Sequence, residues 1–214
     1  QHQLPAAELR KALDLRAGVP IFDVNLDELR TRIEALGWVE RASVSRRMPN
    51  GLHVDITERV PFALWQDQGE LWVVDSAGTR LTNSNIDQYA KLPMVVGQGA
   101  AQHAADLLAV LRGNPELFSR IKSAVRVADR RWDLIFNSGV RVRLPEGVLD
   151  GPFARLDNLE RQTKILERNV AIVDLRFDGR VIVRLDHQVA EAELRAPAVE
   201  ASADTGTRLH GGEI

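Results

Sequence analysis

Apolar residues first recur at helical spacing at Leu9, Ala12 and Leu13, in a segment opened by Pro5, and the pattern stops near Gly18–Val19–Pro20. A short helix is expected there. Asp23 and Asn25 offer caps for a second helix, in which Leu26, Leu29, Ile33 and Leu36 hold one stripe and Gly37 ends it. The period then falls to two. Ala42, Val44, Arg46 and Met48 share one face of a strand, and Leu52, Val54 and Ile56 one face of the next. A two-residue Asn50–Gly51 turn would mix these faces. A three-residue Pro49–Asn50–Gly51 loop keeps them apart, setting Val44 opposite Ile56 and Met48 opposite Leu52 with Gly51 in the left-handed bulge position. Residues 6–59 therefore read as helix, helix, strand, strand.

Beyond Pro61 the apolar runs shorten. Strands are expected at Phe62–Gln66, Leu71–Val74, Thr79–Leu81 and Met94–Val96, then a helix at Ala101–Leu111 ended by Gly113. Further strands follow at Ala124–Val127, Trp132–Phe136 and Val140–Leu144, then a helix from Pro152 to about Arg168 lined by Phe153, Leu156, Leu159, Ile165 and Leu166. The last pair is Ala171–Phe177 and Arg180–Leu185. The fold class is α+β: a small helix-helix-strand-strand domain followed by a mostly antiparallel β domain with two helices. Trp38, Trp65, Trp72 and Trp132 are placed to pack in the cores, and Gly97–Gln98–Gly99 reads as a helix entry.

A tight Asp178–Gly179 turn would pair Phe177 with Arg180, Leu175 with Ile182 and Val173 with Arg184 on one face, leaving Ile172, Asp174, Arg176, Val181, Val183 and Leu185 on the other. Both faces are then partly apolar. From Asp186 onward there is no aromatic residue, and Asp186, Glu191, Glu193, Glu200, Asp204 and Glu213 outnumber Arg195 and Arg208. Residues 186–214 are expected to be a disordered acidic tail. The strand before it should lie at a sheet edge, which either accepts a partner strand or is covered by the chain's own tail.

Composition removes several function classes. With 28 Lys plus Arg against 30 Asp plus Glu, the net charge of −2 gives no reason to expect nucleic-acid binding, and the absence of Cys excludes disulfides and thiolate chemistry. The five His residues show no i, i+4 pair, so no metal site is expected, and His53 reads as a surface partner of Asp55. There is no nucleophile elbow and no phosphate-binding glycine loop. No catalytic residue and no cofactor are expected, and the protein reads as non-enzymatic. No run reaches the roughly 20 apolar residues of a spanning helix. The opening at Gln1, without initiator Met or signal pattern, reads as a piece of a longer product.

Residues 18–30, 36–49 and 52–65, with Trp38–Val39 and Glu58–Arg59–Val60–Pro61, closely resemble the POTRA domain of the FtsQ/DivIB family of bacterial cell-division proteins. Trp72–Val73–Val74–Asp75, Leu92–Pro93, Ile172–Phe177 and Arg180–Leu185 look like that family's β domain. The resemblance divides the chain into an N-terminally incomplete POTRA domain (1–59), a β domain (60–185) and the tail (186–214). It implies a single-pass inner-membrane protein whose anchor and first POTRA strand lie ahead of this chain, with the present region in the periplasm at the division septum. It implies a scaffold linking early and late division proteins, with FtsB and FtsL bound at the last hairpin and FtsK through the POTRA domain. The partner strand would add at Arg176, Phe177, Arg180, Val181 and Val183. The aromatic common late in the family's terminal strand is replaced here, Leu185 standing nearest. A POTRA component of outer-membrane assembly or secretion is the alternative, but it should carry tandem POTRA units or barrel strands.

Overall fold

The computed structural model describes residues 4–14 and 20–186. Helix α1 (Ala6–Leu13) follows Pro5, and α2 (Leu26–Glu34) is capped by Asn25, whose Oδ1 accepts the N–H groups of Asp27 and Glu28 at 3.1 and 3.2 Å. Strands β1 (Val39–Arg47) and β2 (Gly51–Glu58) form an antiparallel pair. Ile33, Val39 and Ala42 are buried together, with Leu9, Leu13, Val44, Val54 and Ile56 around them.

The pairing of this hairpin differs from the sequence expectation. Val44 lies opposite Val54, Ala42 opposite Ile56 and Arg46 opposite Leu52, and the loop is Met48–Pro49–Asn50, so Gly51 opens β2 instead of filling a left-handed loop position. The slide is an even one on the partner strand, so the apolar faces stay as expected. Arg46 is fixed from outside the hairpin. Its guanidinium donates to the carbonyl oxygens of Ile21 and Val24 at 2.9 and 2.8 Å, a contact between residues over twenty positions apart that strand pattern does not reveal.

The remaining strands are β3 (Ala63–Asp67), β4 (Glu70–Val74), β5 (Arg80–Thr82), β6 (Met94–Val96), β7 (Ile121–Val127), β8 (Arg131–Phe136), β9 (Arg141–Glu146), β10 (Val170–Asp174) and β11 (Ile182–Leu185). They form one nine-stranded sheet in the order β11-β10-β9-β8-β7-β6-β3-β4-β5. Pairs β3/β6, β6/β7 and β9/β10 are parallel and the other five antiparallel. Each parallel neighbour is reached by a crossover, as parallel pairing requires. Helices α3 (Ala104–Arg112) and α4 (Pro115–Ser119) connect β6 to β7, and α5 (Asp150–Thr163) connects β9 to β10. Alpha helix α4 and a 3-10 turn at Ile86–Tyr89 are too short to carry a period and were not foreseen, so this part has three α-helices instead of two. The long helix expected to reach Arg168 ends at Thr163, where Lys164 turns left-handed with φ 51°.

The helices cover one face of the sheet. Leu107, Leu108, Leu111, Phe153 and Leu156 pack on Val95, Leu134, Phe136, Val142, Leu144 and Val173. At the β5 end the opposite face is also covered: Leu64, Val73 and Leu81 pack with Trp38 and with Leu71, Ile86, Tyr89 and Leu92. Trp38, Trp65 and Trp132 are buried as expected, while Trp72 is half-buried with its Nε1–H on Glu70 at 3.1 Å. His53 and Asp55 form the exposed pair expected of them, 3.2 Å apart. At the β11 end the second face has no covering layer among the described residues. The tail beyond Asp186 lies outside the described residues.

Candidate protein-interaction site

Strand β11 is the last in the sheet, and its four residues are exposed. The expected ladder does not run to the hairpin tip. The Asp178–Gly179 turn forms, with Arg180 N–H reaching Phe177 O at 3.4 Å, but pairing begins only at Asp174 opposite Ile182, and residues 175–181 connect the strands. Leu175 N–H donates to Arg143 O of β9 at 2.9 Å, and Arg155 of α5 donates to the carbonyl oxygens of Leu175 and Phe177 at 3.2 and 3.4 Å. The backbone at the tip is thus bonded away from β11. The register moves by one residue, placing Val173 opposite Val183 and Ile172 opposite Arg184. A one-residue slip exchanges the faces. Val181, Val183 and Leu185 therefore lie on the helix-covered side with Val173, and Ile182 and Arg184 on the open side with Asp174 and Ile172.

Asp186 N–H donates to Asn169 O at 3.2 Å. Amide directions alternate along a strand, so Ile182 and Arg184 turn theirs toward β10 while Val183 and Leu185 turn theirs outward, away from the sheet. The open edge therefore presents ladder groups with exposed apolar side chains on both of its faces: Val183 is 41% and Leu185 59% exposed on the helix-covered side, Ile182 is 50% exposed on the open side, and Phe177, in the preceding connection, is 46% exposed. Of the residues singled out from sequence, Val183 lies on β11, and Arg176, Phe177, Arg180 and Val181 lie in the connection preceding it. Arg176 and Phe177 are brought together, the guanidinium 5.8 Å from the ring centroid. Ile182 and Leu185, exposed at the same edge on its two opposite faces, were not among the residues singled out, although Leu185 stood where the family's aromatic falls.

Charge covers the open face beside this edge. Asp133 of β8, Arg143 of β9 and Asp174 of β10 form a transverse row in register. Arg176 Nη2 meets Asp174 Oδ2 at 2.6 Å and its Nε meets Oδ1 at 2.8 Å, a two-point contact, with Arg143 at 3.7 Å. Arg131 and Arg141 approach Asp133 at 3.7 and 4.0 Å. The Arg176 hydrogen bond holds the Asp174 carboxyl below the usual carboxylate range against burial, which works the other way, and Asp174 in turn raises Arg176. Arg131, Arg141, Arg143 and Arg176 thus surround the two aspartates, while Arg184 stands opposite Ile172 at the edge.

Among the described residues no cluster of three or more His, Asp or Glu could hold a metal ion, and no helix is long and apolar enough to cross a membrane. A cleft of about 340 Å³ bordered by Leu92, Pro93, Met94, Phe118 and Ile121 has Lys91 and Lys122 in its lining and no acid or histidine. It offers no acid–base pair.

A two-stranded helix-backed unit followed by a large mixed sheet with helices on one face is the architecture of a POTRA domain joined to an FtsQ-type β domain. Residues 1–59 match the family model for the POTRA domain, FtsQ-type, and residues 63–176 that for the C-terminal part of cell division protein FtsQ/DivIB. The chain is 34% identical over 183 residues to cell division protein FtsQ of Rickettsia conorii, covering 86% of this chain and 68% of that one. Against cell division protein FtsQ of Caulobacter vibrioides it is 35% identical over 178 residues, 83% of this chain and 59% of that one. Against cell division protein FtsQ of Rhizobium radiobacter it is 33% identical over 199 residues, 93% and 94% of the two. The chain belongs to the FtsQ/DivIB family of cell-division proteins.

Proposed function

We propose that this protein is a non-enzymatic scaffold of the division machinery that binds a partner by strand addition to the outer edge of β11. Membership of the FtsQ/DivIB family supports the role in division, and the outward amides of Val183 and Leu185 among exposed apolar side chains support the mode. That edge, unpaired among the described residues, is the observation that carries the reading. The partner strand is FtsB, with FtsL bound alongside it, and Arg176, Phe177, Arg180, Val181 and Val183 form the footprint. The POTRA unit, taken as residues 1–59, contacts FtsK, and residues 60–185 form the docking domain. An anchor in the inner membrane ahead of this chain holds both in the periplasm at the septum, where the scaffold links early and late division proteins.

Strand addition depends on backbone bonds, so a side-chain truncation changes little and a lost donor much. Val183→Pro removes an outward N–H without removing a bond to β10, and Phe177→Lys opposes apolar docking. Each is expected to weaken binding by about 2 kcal/mol or more. The test is calorimetric titration of the chain with the periplasmic segment of its FtsB counterpart, with circular dichroism confirming the fold. Folded variants that bind as tightly as the wild type would overturn the assignment of the edge.

A further inference from the structure

Strands β6 and β7 diverge at their N-terminal ends. Their pairing begins only at Val95 opposite Ala124, because the chain ahead of β6 bends away: the Leu92 N–H returns to Tyr89 O at 2.8 Å, and Pro93 has no N–H to give. Ile121, Lys122 and Ser123 therefore have β8 on one side and, among the described residues, no strand on the other. The gap is the cleft of about 340 Å³. Leu92, Met94, Phe118 and Ile121 make it apolar, and its charges are Lys91 and Lys122, both exposed, with no acid in the lining.

We propose that this cleft is a second docking site, which takes an extended segment of a partner protein carrying a bulky apolar side chain beside an acidic one. The apolar side chain fills the cleft, as anchor residues fill pockets at protein interfaces. The carboxylate meets two ammonium groups that no acid of the cleft neutralises. The segment's backbone meets the free ladder side of Ile121–Ser123, as an added strand does. An acyl chain with an anionic head would satisfy the walls and the lysines but leave that ladder side unpaired, so the geometry favours a peptide. Strand β7 stands four places from β11, about 20 Å across the sheet, so both sites can be filled at once.

The experiment is an amide NMR titration of the full chain with two capped hexapeptides, one alternating glutamate with phenylalanine and the other lysine with phenylalanine. The glutamate peptide is expected to shift the Met94, Ile121, Lys122 and Ser123 signals saturably, and the lysine peptide to bind about 10-fold more weakly or less. The double variant Lys91→Glu/Lys122→Glu, its fold confirmed by the same spectrum, should lose about 10-fold in affinity for the glutamate peptide. No saturable shift at these residues, or equal affinity for the two peptides, overturns the proposal. Shifts there with octanoate but not with the glutamate peptide would assign the cleft to a fatty acid, and shifts that follow protein concentration alone would assign it to a second copy of the chain; either result overturns it. The double variant should bind the periplasmic FtsB segment as the wild type does. Loss of that binding in the folded variant overturns a docking site separate from β11.

Discussion

At Asp174 the fold concentrates more electrostatic constraint than at any other residue near the candidate edge. The carboxyl is buried, held by Arg176 from two atoms and approached by Arg143, and its folded-state affinity for protons is lowered. A carboxylate of this kind stabilises the fold at pH above its unfolded value, near 3.9, and that stabilisation is lost as pH falls through the lowered folded value. Arg176→Gln should therefore raise the Asp174 pKa, shift acid unfolding to higher pH and cost about 2 kcal/mol at neutral pH. Carboxyl-carbon NMR titration and a pH series of denaturation curves measure both effects. Glu160 is buried in the helical layer and held by hydrogen bonds: one oxygen accepts from Arg120 Nη1 at 2.7 Å and the other from the N–H of Leu166 at 2.8 Å. Glu160→Ala removes both contacts and leaves a backbone donor buried, so urea denaturation should show a loss of about 3 kcal/mol, with Glu160→Gln losing less.

Among the elements, the two hairpins show which features of a strand are local. Period-two alternation placed both pairs of strands, but beside each ladder the chain is held by groups far away in sequence. The Arg46 side chain ties β1 to the 21–24 loop, and the Arg155 side chain and the Arg143 carbonyl bind the backbone beyond β10. Arg155→Ala is expected to release the carbonyls of Leu175 and Phe177 and cost about 1 kcal/mol, while the β10/β11 ladder, which makes no use of Arg155, persists. Hydrogen exchange should quicken across 175–181 and stay unchanged at Ile182 and Arg184. The candidate site was legible in the sequence as a stretch of chain, because Phe177, Val181 and Val183 sit before an acidic, aromatic-free tail. Which side each residue takes was not legible, since a one-residue shift reverses it.

For the molecule as a whole, the junction between the two sheets transmits position from one unit to the other. Helix α2 ends at Glu34, with Ala35 as its cap and not the expected Gly37; Gly37, in the turn that follows, lies directly against β5, where an added Cβ would lie 2.9 Å from both Arg80 O and Leu81 O. Trp38 then packs into the second core beside Tyr89, with ring centroids 6.3 Å apart. Arg59 donates to Val39 O at 3.1 Å and to Asp75 Oδ2 at 2.8 Å, while Asp75 Oδ1 accepts the N–H groups of Ala77 and Thr79. Gly37→Ala should force the units apart and cost about 2 kcal/mol, read as a lower denaturation midpoint with a larger radius of gyration by small-angle scattering. Arg59→Ala should loosen the junction while leaving each sheet paired.

The sequence by itself determined the types of the longer elements, which residues share a face along each strand, and the family, because these depend on residue periodicity and on motifs such as Glu58–Arg59–Val60–Pro61 that survive as local strings. Tertiary structure decided the order of the nine strands, the burial of Asp133 and Asp174 beneath arginines from neighbouring strands, and the register at the edge. Those properties depend on contacts between residues tens of positions apart. Alternation along one strand fixes which residues share a face, but only its neighbours decide what that face meets.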